Sequence, residues 1–123
     1  MVIVGAGNLG SAIANHTYYY KSGFKVKGIF DINPNLFGVE IQDAKIMDYR
    51  NLSDFVREND IDIGIICTTK DAAQEVADKL CDAGVRGIWN FAPVDIDVPE
   101  DVALENVHLS DSLHSLAYHM NKK

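Results

Sequence analysis

The sequence predicts an α/β fold built on a doubly wound, mostly parallel sheet and closed by a C-terminal amphipathic helix. Three observations predict it. An apolar run, Met1-Val2-Ile3-Val4, leads directly into Gly5-Ala6-Gly7-Asn8-Leu9-Gly10, the pattern of a strand turning into a helix through G-x-G-x-x-G. Strand-like and helix-like stretches then alternate at the spacing of parallel crossovers. The stretch 60–67 (D-I-D-I-G-I-I-C) carries isoleucines that suggest a strand buried on both faces.

The elements follow in order. Residues 11–20 read as the first helix, with Leu9, Ile13, His16 and Tyr20 at steps of four, three and four on one face, and Gly23 ends it. Residues 24–31 form the second strand, ending in Asp31, and Asn33-Pro34-Asn35 turns the chain. Residues 39–41 and 45–47 are short strand-like pieces, the second expected as the outer parallel strand. Residues 51–58 form a short helix with Leu52, Phe55 and Val56 as its apolar face. After the 60–67 strand and Thr68-Thr69, a helix over 70–83 carries Ala73, Val76, Ala77 and Leu80 as its core stripe, and Gly84 is placed to cap it in the left-handed conformation. A strand over 85–91 is closed by Ala92-Pro93, residues 95–99 are extended, and 102–109 is strand-like and expected to extend the sheet. Ser110 then caps a last helix to about residue 120, with Leu109, Leu113, Leu116 and Met120 as an apolar stripe. Two parts result: residues 1–109, a Rossmann-like domain, and residues 110–123, a helix that packs either on its own domain or on a second subunit.

Length and composition set limits. At 123 residues the chain is one domain with room for a real core, and its hydrophobic content of 47% lies in the globular range. No stretch is long and apolar enough to span a bilayer, and no secretory signal is visible, so no membrane partner is expected. Two cysteines, Cys67 and Cys81, make no disulfide framework and fit a reducing cytoplasm. A formal charge of −7 argues against the chain itself binding DNA, which is a dense anion.

The glycines point to a dinucleotide. Gly5 permits the tight turn, Gly7 lets a phosphate approach the backbone, and Gly10 lets the helix pack close to the sheet, with the helix N-terminus facing the phosphates. Asp31, 21 residues beyond Gly10, is placed to accept hydrogen bonds from the adenine ribose hydroxyls. An acid there repels a 2′-phosphate, and Ile32 and Asn33 supply no arginine to cradle one, so the pattern favours NADH/NAD⁺ over the phosphorylated cofactor.

With Asn90-Phe91-Ala92-Pro93-Val94 and Glu105-Asn106-Val107-His108-Leu109 ahead of a terminal helix, the chain resembles the Rex redox-sensing transcriptional repressors over essentially its whole length. The resemblance implies a homodimer whose subunits carry an N-terminal winged-helix DNA-binding domain, a Rossmann domain that senses the NADH/NAD⁺ ratio, and a C-terminal helix swapped between subunits, with NADH relieving binding to operator DNA. The winged helix is absent from this sequence, which would account for its abrupt start; operator DNA is then a partner only through that missing domain. By the resemblance, Gly5, Ala6, Gly7, Asn8, Leu9 and Gly10 hold the pyrophosphate and Asp31 the ribose. Cys67, Thr68 and Thr69 lie at the switch-point crevice, and Asn90, Phe91, Ala92 and Pro93 border the nicotinamide. His16 and His108 stand where the family commonly has a tyrosine and an acid linked to signalling. With Leu109 they are the signalling candidates, and the two histidines suggest a pH-sensitive replacement contact.

Each singled-out residue also has a plain structural role open to it. His16 fits a packed histidine as well as a cofactor- or partner-facing one. Cys67 fits a small packed residue better than a redox thiol. Thr68 or Thr69 is as suited to capping the next helix as to touching a cofactor. The histidines at 108, 114 and 119 lack the spacing and companions of a metal site. No catalytic residue is assigned: a dehydrogenase needs a proton donor beside the nicotinamide and a substrate pocket, and neither is evident. A small NAD-dependent oxidoreductase and a CoA-binding module are the alternatives to a regulatory sensor.

Overall fold

The computed structural model describes residues 1–20, 23–107, 116 and 118–120, with the backbone alone for 17–20. Seven strands form one sheet: β1 (Val2–Val4), β2 (Gly28–Asp31), β3 (Glu40–Ile41), β4 (Ala44–Asp48), β5 (Ile63–Ile66), β6 (Gly87–Asn90) and β7 (Ala103–Asn106). Among the described residues these helices accompany them: α1 (Asn8–Tyr20), α2 (Leu52–Glu58) and α3 (Lys70–Ala83), and residues 116 and 118–120 are also helical. The strand order is β3-β4-β2-β1-β5-β6-β7. Every pairing is parallel except that of β3 with β4, so the strand expected at the outer edge has a two-residue antiparallel neighbour outside it. Order reverses between β1 and β5, the switch point at which α/β sheets open a crevice beyond their strand C-termini.

Alternation along the strands divides the core in two. Val2, Val4, Phe30 and Ile66 face α2 and α3, packing with Leu52, Val56, Ala73, Val76, Ala77 and Leu80. The expected stripes of α2 and α3 are therefore the buried ones, with Phe55 edge-on to Phe30 at 5.3 Å between ring centres. Gly84 ends α3 at φ +107, with its N–H bonded to the carbonyls of Leu80 and Cys81. Ile3, Ile29 and Ile65 face the other way, with Ala6 and Ala14.

The face of α1 differs from expectation. Among its described side chains Gly10 and Ala14 are the buried positions, whereas Leu9 and Ile13 are half-buried and His16 is exposed; the side chain of Tyr20 lies outside the described residues. An ideal Cβ on Gly10 would sit 1.9 Å from the Gly5 carbonyl oxygen, so the helix lies too close to the strand turn for larger residues on that line. His16 is exposed in the single chain. The strands are also shorter than their apolar runs. Residues 24–27 precede β2, tied to the sheet by the bond from the Lys27 N–H to the Met1 carbonyl.

Candidate functional site: a cleft at the strand switch point

The C-terminal ends of β1, β2 and β5 open into a cleft of about 500 Å³. Its walls include Gly5, Gly7, Asp31, Cys67, Thr68 and Thr69, so six expected residues from three separate stretches meet there. Gly5 turns out of β1 at φ +104, and a Cβ there would strike the Cys67 carbonyl oxygen at 2.5 Å. The turn is fixed by the Gly5 N–H bonding to the Phe30 carbonyl at 2.8 Å. A Cβ on Gly7 would meet nothing within 4 Å, and Gly7 lines the cleft: this is open space over bare backbone, beside the first turn of a 13-residue helix. Ala6 is buried behind the loop, while Asn8 is exposed and Leu9 half-buried in the first turn of α1, off the cleft wall.

Asp31 stands at the end of β2, half-buried. One carboxylate oxygen accepts from the Ala6 N–H at 2.8 Å and the other from the Asn33 N–H at 2.9 Å. The acid therefore anchors the glycine loop as well as lining the cleft, and each oxygen keeps a lone pair for a further donor. Its neighbour Ile32 is 80% exposed on the cleft rim.

Burial pushes the Cys67 thiol up to about 12, which keeps it neutral and unreactive. Thr69 occupies the N-cap position of α3 without a side-chain capping bond, and the Thr68 hydroxyl donates to the Thr69 carbonyl at 3.0 Å. Thr69 therefore caps the helix by position alone, and the Thr68 hydroxyl is turned back on its own loop. Tyr49, Ala72, Glu75 and Val76 complete the far wall. The Tyr49 hydroxyl is buried without a hydrogen-bond partner, and burial, helped by Glu75, raises its pKa. Lys79 lies 4.1 Å from the centre of its ring. Nothing in the local sequence marked these four, since they reach the cleft only through the pairing of β4 with β2 and the docking of α3.

Asn90, Phe91, Ala92 and Pro93 do not line the cleft itself; they form the bend beside it. The Phe91 N–H bonds to the Ile66 carbonyl at 2.9 Å, and the ring packs in the cluster that holds Cys67 and Ala6. Asn90 is completely buried. Its side-chain NH₂ donates to the Val94 carbonyl at 2.7 Å and to Asn106 Oδ1 at 2.9 Å, and its Oδ1 accepts from the Ala92 N–H at 3.0 Å. His108 and Leu109 lie outside the described residues. No cluster able to hold a metal ion occurs among the described residues.

A second hollow of about 500 Å³ lies on the α1 side, at the N-terminal ends of the strands. Met1, His16, Phe24, Ile63, Trp89 and Glu105 line it, and Trp89 is 39% exposed. Among the described residues α1 is the only helix on this face, and it leaves β6 and β7 uncovered.

Comparison with known proteins identifies the architecture. The CoA-binding domain family matches residues 1–94. The chain is 58% identical to the redox-sensing transcriptional repressor Rex of Thermoanaerobacter sp. (strain X514), over 99% of this chain and 54% of that protein. It is 56% identical to Rex of Clostridium perfringens (strain SM101 / Type A), over 98% of this chain and 57% of that protein. The chain belongs to the CoA-binding domain family, and over nearly its whole length it is similar to one part of the Rex repressors. It spans about half the length of the curated relatives it matches. The crystal structure of RSP, a Rex-family repressor, superposes with a TM-score of 0.92 at 59% identity, covering 98% of this chain and 58% of that one. RSP in complex with β-NAD⁺ and operator DNA superposes with a TM-score of 0.91, also at 59% identity, over 98% of this chain and 56% of that one. The Rex resemblance and the Rossmann-like sheet expected from the sequence are both borne out. Among the described residues, no helix is long and apolar enough to cross a membrane.

Proposed function

We propose that this chain is the NAD(H)-binding sensor domain of a redox-responsive transcriptional repressor. The observation that carries it is the pairing of open backbone at Gly7 with the Asp31 carboxylate across the same cleft. The first admits a pyrophosphate; the second accepts ribose hydroxyls and repels a 2′-phosphate. RSP, at 59% identity, has been crystallised with β-NADH, which supports the same cofactor here. On this basis Gly5 to Gly10 hold the pyrophosphate, Asp31 the adenosine ribose, and Cys67, Thr68 and Thr69 the middle of the cofactor. The bend of Asn90, Phe91, Ala92 and Pro93 borders the nicotinamide.

In the longer protein, NADH relieves the binding of a dimer to operator DNA, which is met through an N-terminal winged-helix domain. The domain works in the cytoplasm as a sensor and performs no catalysis. The helix of residues 110–123 from a second copy covers the hollow of Phe24 and Trp89. Leu116 and Met120, from its apolar stripe, are 56% and 66% exposed in the single chain, which favours a partner over the chain's own domain. His16, His108 and Leu109 transmit the cofactor's state between subunits.

Titration with NADH, NAD⁺, NADPH and CoA, with light scattering to follow association, tests this. NADH is expected to bind much more tightly than NAD⁺ or NADPH, with no turnover of alcohols or hydroxy acids. The matched family's description makes CoA the competing ligand, and a preference for CoA, or no binding of NADH, overturns the proposal.

A further inference from the structure

Asn90 is the one fully buried polar side chain among the described residues. A carboxamide has two N–H donors and one acceptor oxygen, and here all three are committed: to the Val94 carbonyl, to Asn106 Oδ1 and to the Ala92 N–H. Two of these bonds shape the bend at 91–94. The third crosses to the end of β7. The Asn90 main chain makes the same crossing, since it pairs in register with Asn106 and its carbonyl accepts from the Val107 N–H at 2.8 Å. Among the described residues β7 is an edge strand of four residues paired only with β6, so the course of the chain after Asn106 is set at Asn90. On its other side the bend is pinned to the cleft, with Phe91 bonded to Ile66 and packed in the cluster of Cys67 and Ala6.

We propose that the Asn90–Asn106 side-chain pair couples the bend at the cleft to the exit of the chain at Val107, making Asn106 a positioning residue for the segment that follows. The coupling rests on NAD(H) occupying the cleft. A ligand that fixes the bend fixes the Asn90 carboxamide. The carboxamide cannot turn to follow a displaced Ala92 or Val94 without releasing Asn106, because a buried amide left unpaired is costly. The exit of β7 is therefore held firmly when the cleft is filled and less firmly when it is empty.

Amide hydrogen exchange on the whole chain, with and without NADH, tests the coupling alongside a direct NADH titration. NADH is expected to slow exchange at Val107 by about tenfold, the order of one net hydrogen bond. Asn106→Ala is expected to bind NADH within about threefold of wild type while the slowing at Val107 drops below about twofold. Asn106→Asp, which keeps an acceptor for the Asn90 NH₂, restores it. Full protection in Asn106→Ala, failure of Asn106→Asp to restore it, or loss of folding and cofactor binding together in both variants overturns the coupling. Wild type that binds NADH without protection at Val107 overturns the coupling alone; wild type that does not bind NADH overturns the cofactor assignment and the coupling with it.

Discussion

Gly7 and Gly10 stand three residues apart in one motif, yet alanine at each is predicted to fail in a different way. A Cβ on Gly10 would lie 1.9 Å from the Gly5 carbonyl oxygen and 3.0 Å from its carbon; a Cβ on Gly7 would touch nothing within 4 Å. To restore ordinary contact, the first turn of α1 must retreat from β1 by roughly 1.5 Å in an interior packed as densely as a crystal. Overpacking costs about 1–3 kcal/mol where side chains can yield. The obstacle here is backbone at a strand-to-helix turn, so the upper figure applies. Against a total stability on the order of 6–18 kcal/mol for a chain of this length, about 3 kcal/mol is a large loss. At about 4 °C per kcal/mol it lowers the melting temperature by about 12 °C. Gly7→Ala should melt within about 2 °C of wild type, since the methyl has room. It should still weaken NADH by about tenfold or more, about 1.4 kcal/mol, because the methyl occupies the space over the backbone that a phosphate must enter. Thermal melts of the ligand-free variants and fluorescence titrations with NADH separate the two effects. A folded Gly7→Ala that binds NADH like wild type would refute the phosphate's approach there. A Gly10→Ala with unchanged melting would refute the claim that close packing of α1 matters.

Three further outcomes follow from the same geometry. Asp31→Ala should weaken NADH more than NADPH in paired titrations, because it removes both a ribose acceptor and the charge that repels a 2′-phosphate; equal losses, traceable to the freed Ala6 N–H alone, would show that Asp31 only anchors the loop. The Cys67 thiol, pushed up to about 12 from an ordinary 9.0 by burial, should react with iodoacetamide at pH 8 at least about tenfold more slowly in the folded chain than in the urea-unfolded one. Because folding raises this pKa, the stability gained by keeping the thiol neutral is fully present below pH 9.0 and is lost as pH rises towards about 12, which alkaline melts of wild type and Cys67→Ala can check. Removing residues 110–123 should leave NADH affinity within about threefold but shift light scattering from dimer to monomer; a truncated chain that remains dimeric would place the contact elsewhere.

Local pattern reached far into this fold because its main signals are local. The stripe of α3, the left-handed cap at Gly84 and the glycine turn each depend on residues within a few positions of one another, and each lies where periodicity or steric need placed it. What was illegible depends on distant pairing. Tyr49 and Glu75 reach the cleft only because β4 lies beside β2 and α3 docks over the switch point. The piece at 39–41 was legible as a strand, but its antiparallel return onto β4 was not, because the turn needs Gln42 at φ +54, a conformation that a glutamine does not advertise. The apolar spacing on α1 marks Leu9 and Ile13, which are half-buried, but not the closest contact with the sheet, which the approach at Gly10 places on Gly10 and Ala14. Asn90 was visible within a motif, but its part in fixing the end of β7 was not, since Asn106 becomes its neighbour only in the parallel register of the two strands.

On the proposed reading, the two hollows give one small domain separate places for a cofactor and for association. The cleft lies at the C-terminal ends of the strands and the uncovered face at their N-terminal ends, and α1 runs between them. Gly7, just before its first residue, lines the cleft, while His16, about 12 Å along the helix from Asn8, lines the apolar face. Among its described side chains α1 buries Gly10 and Ala14 fully and packs Ile13 at the edge of the core, so its closest approach to the sheet is made through small residues. A ligand at the cleft can therefore bear on the far face through a single rigid element. It can do so only to the extent that it binds one placement of that element better than another, because a ligand with equal affinity for both shifts nothing. The measurement that decides whether this domain signals is consequently the ratio of NADH affinities in the associated and separated states, and tight binding on its own does not establish it.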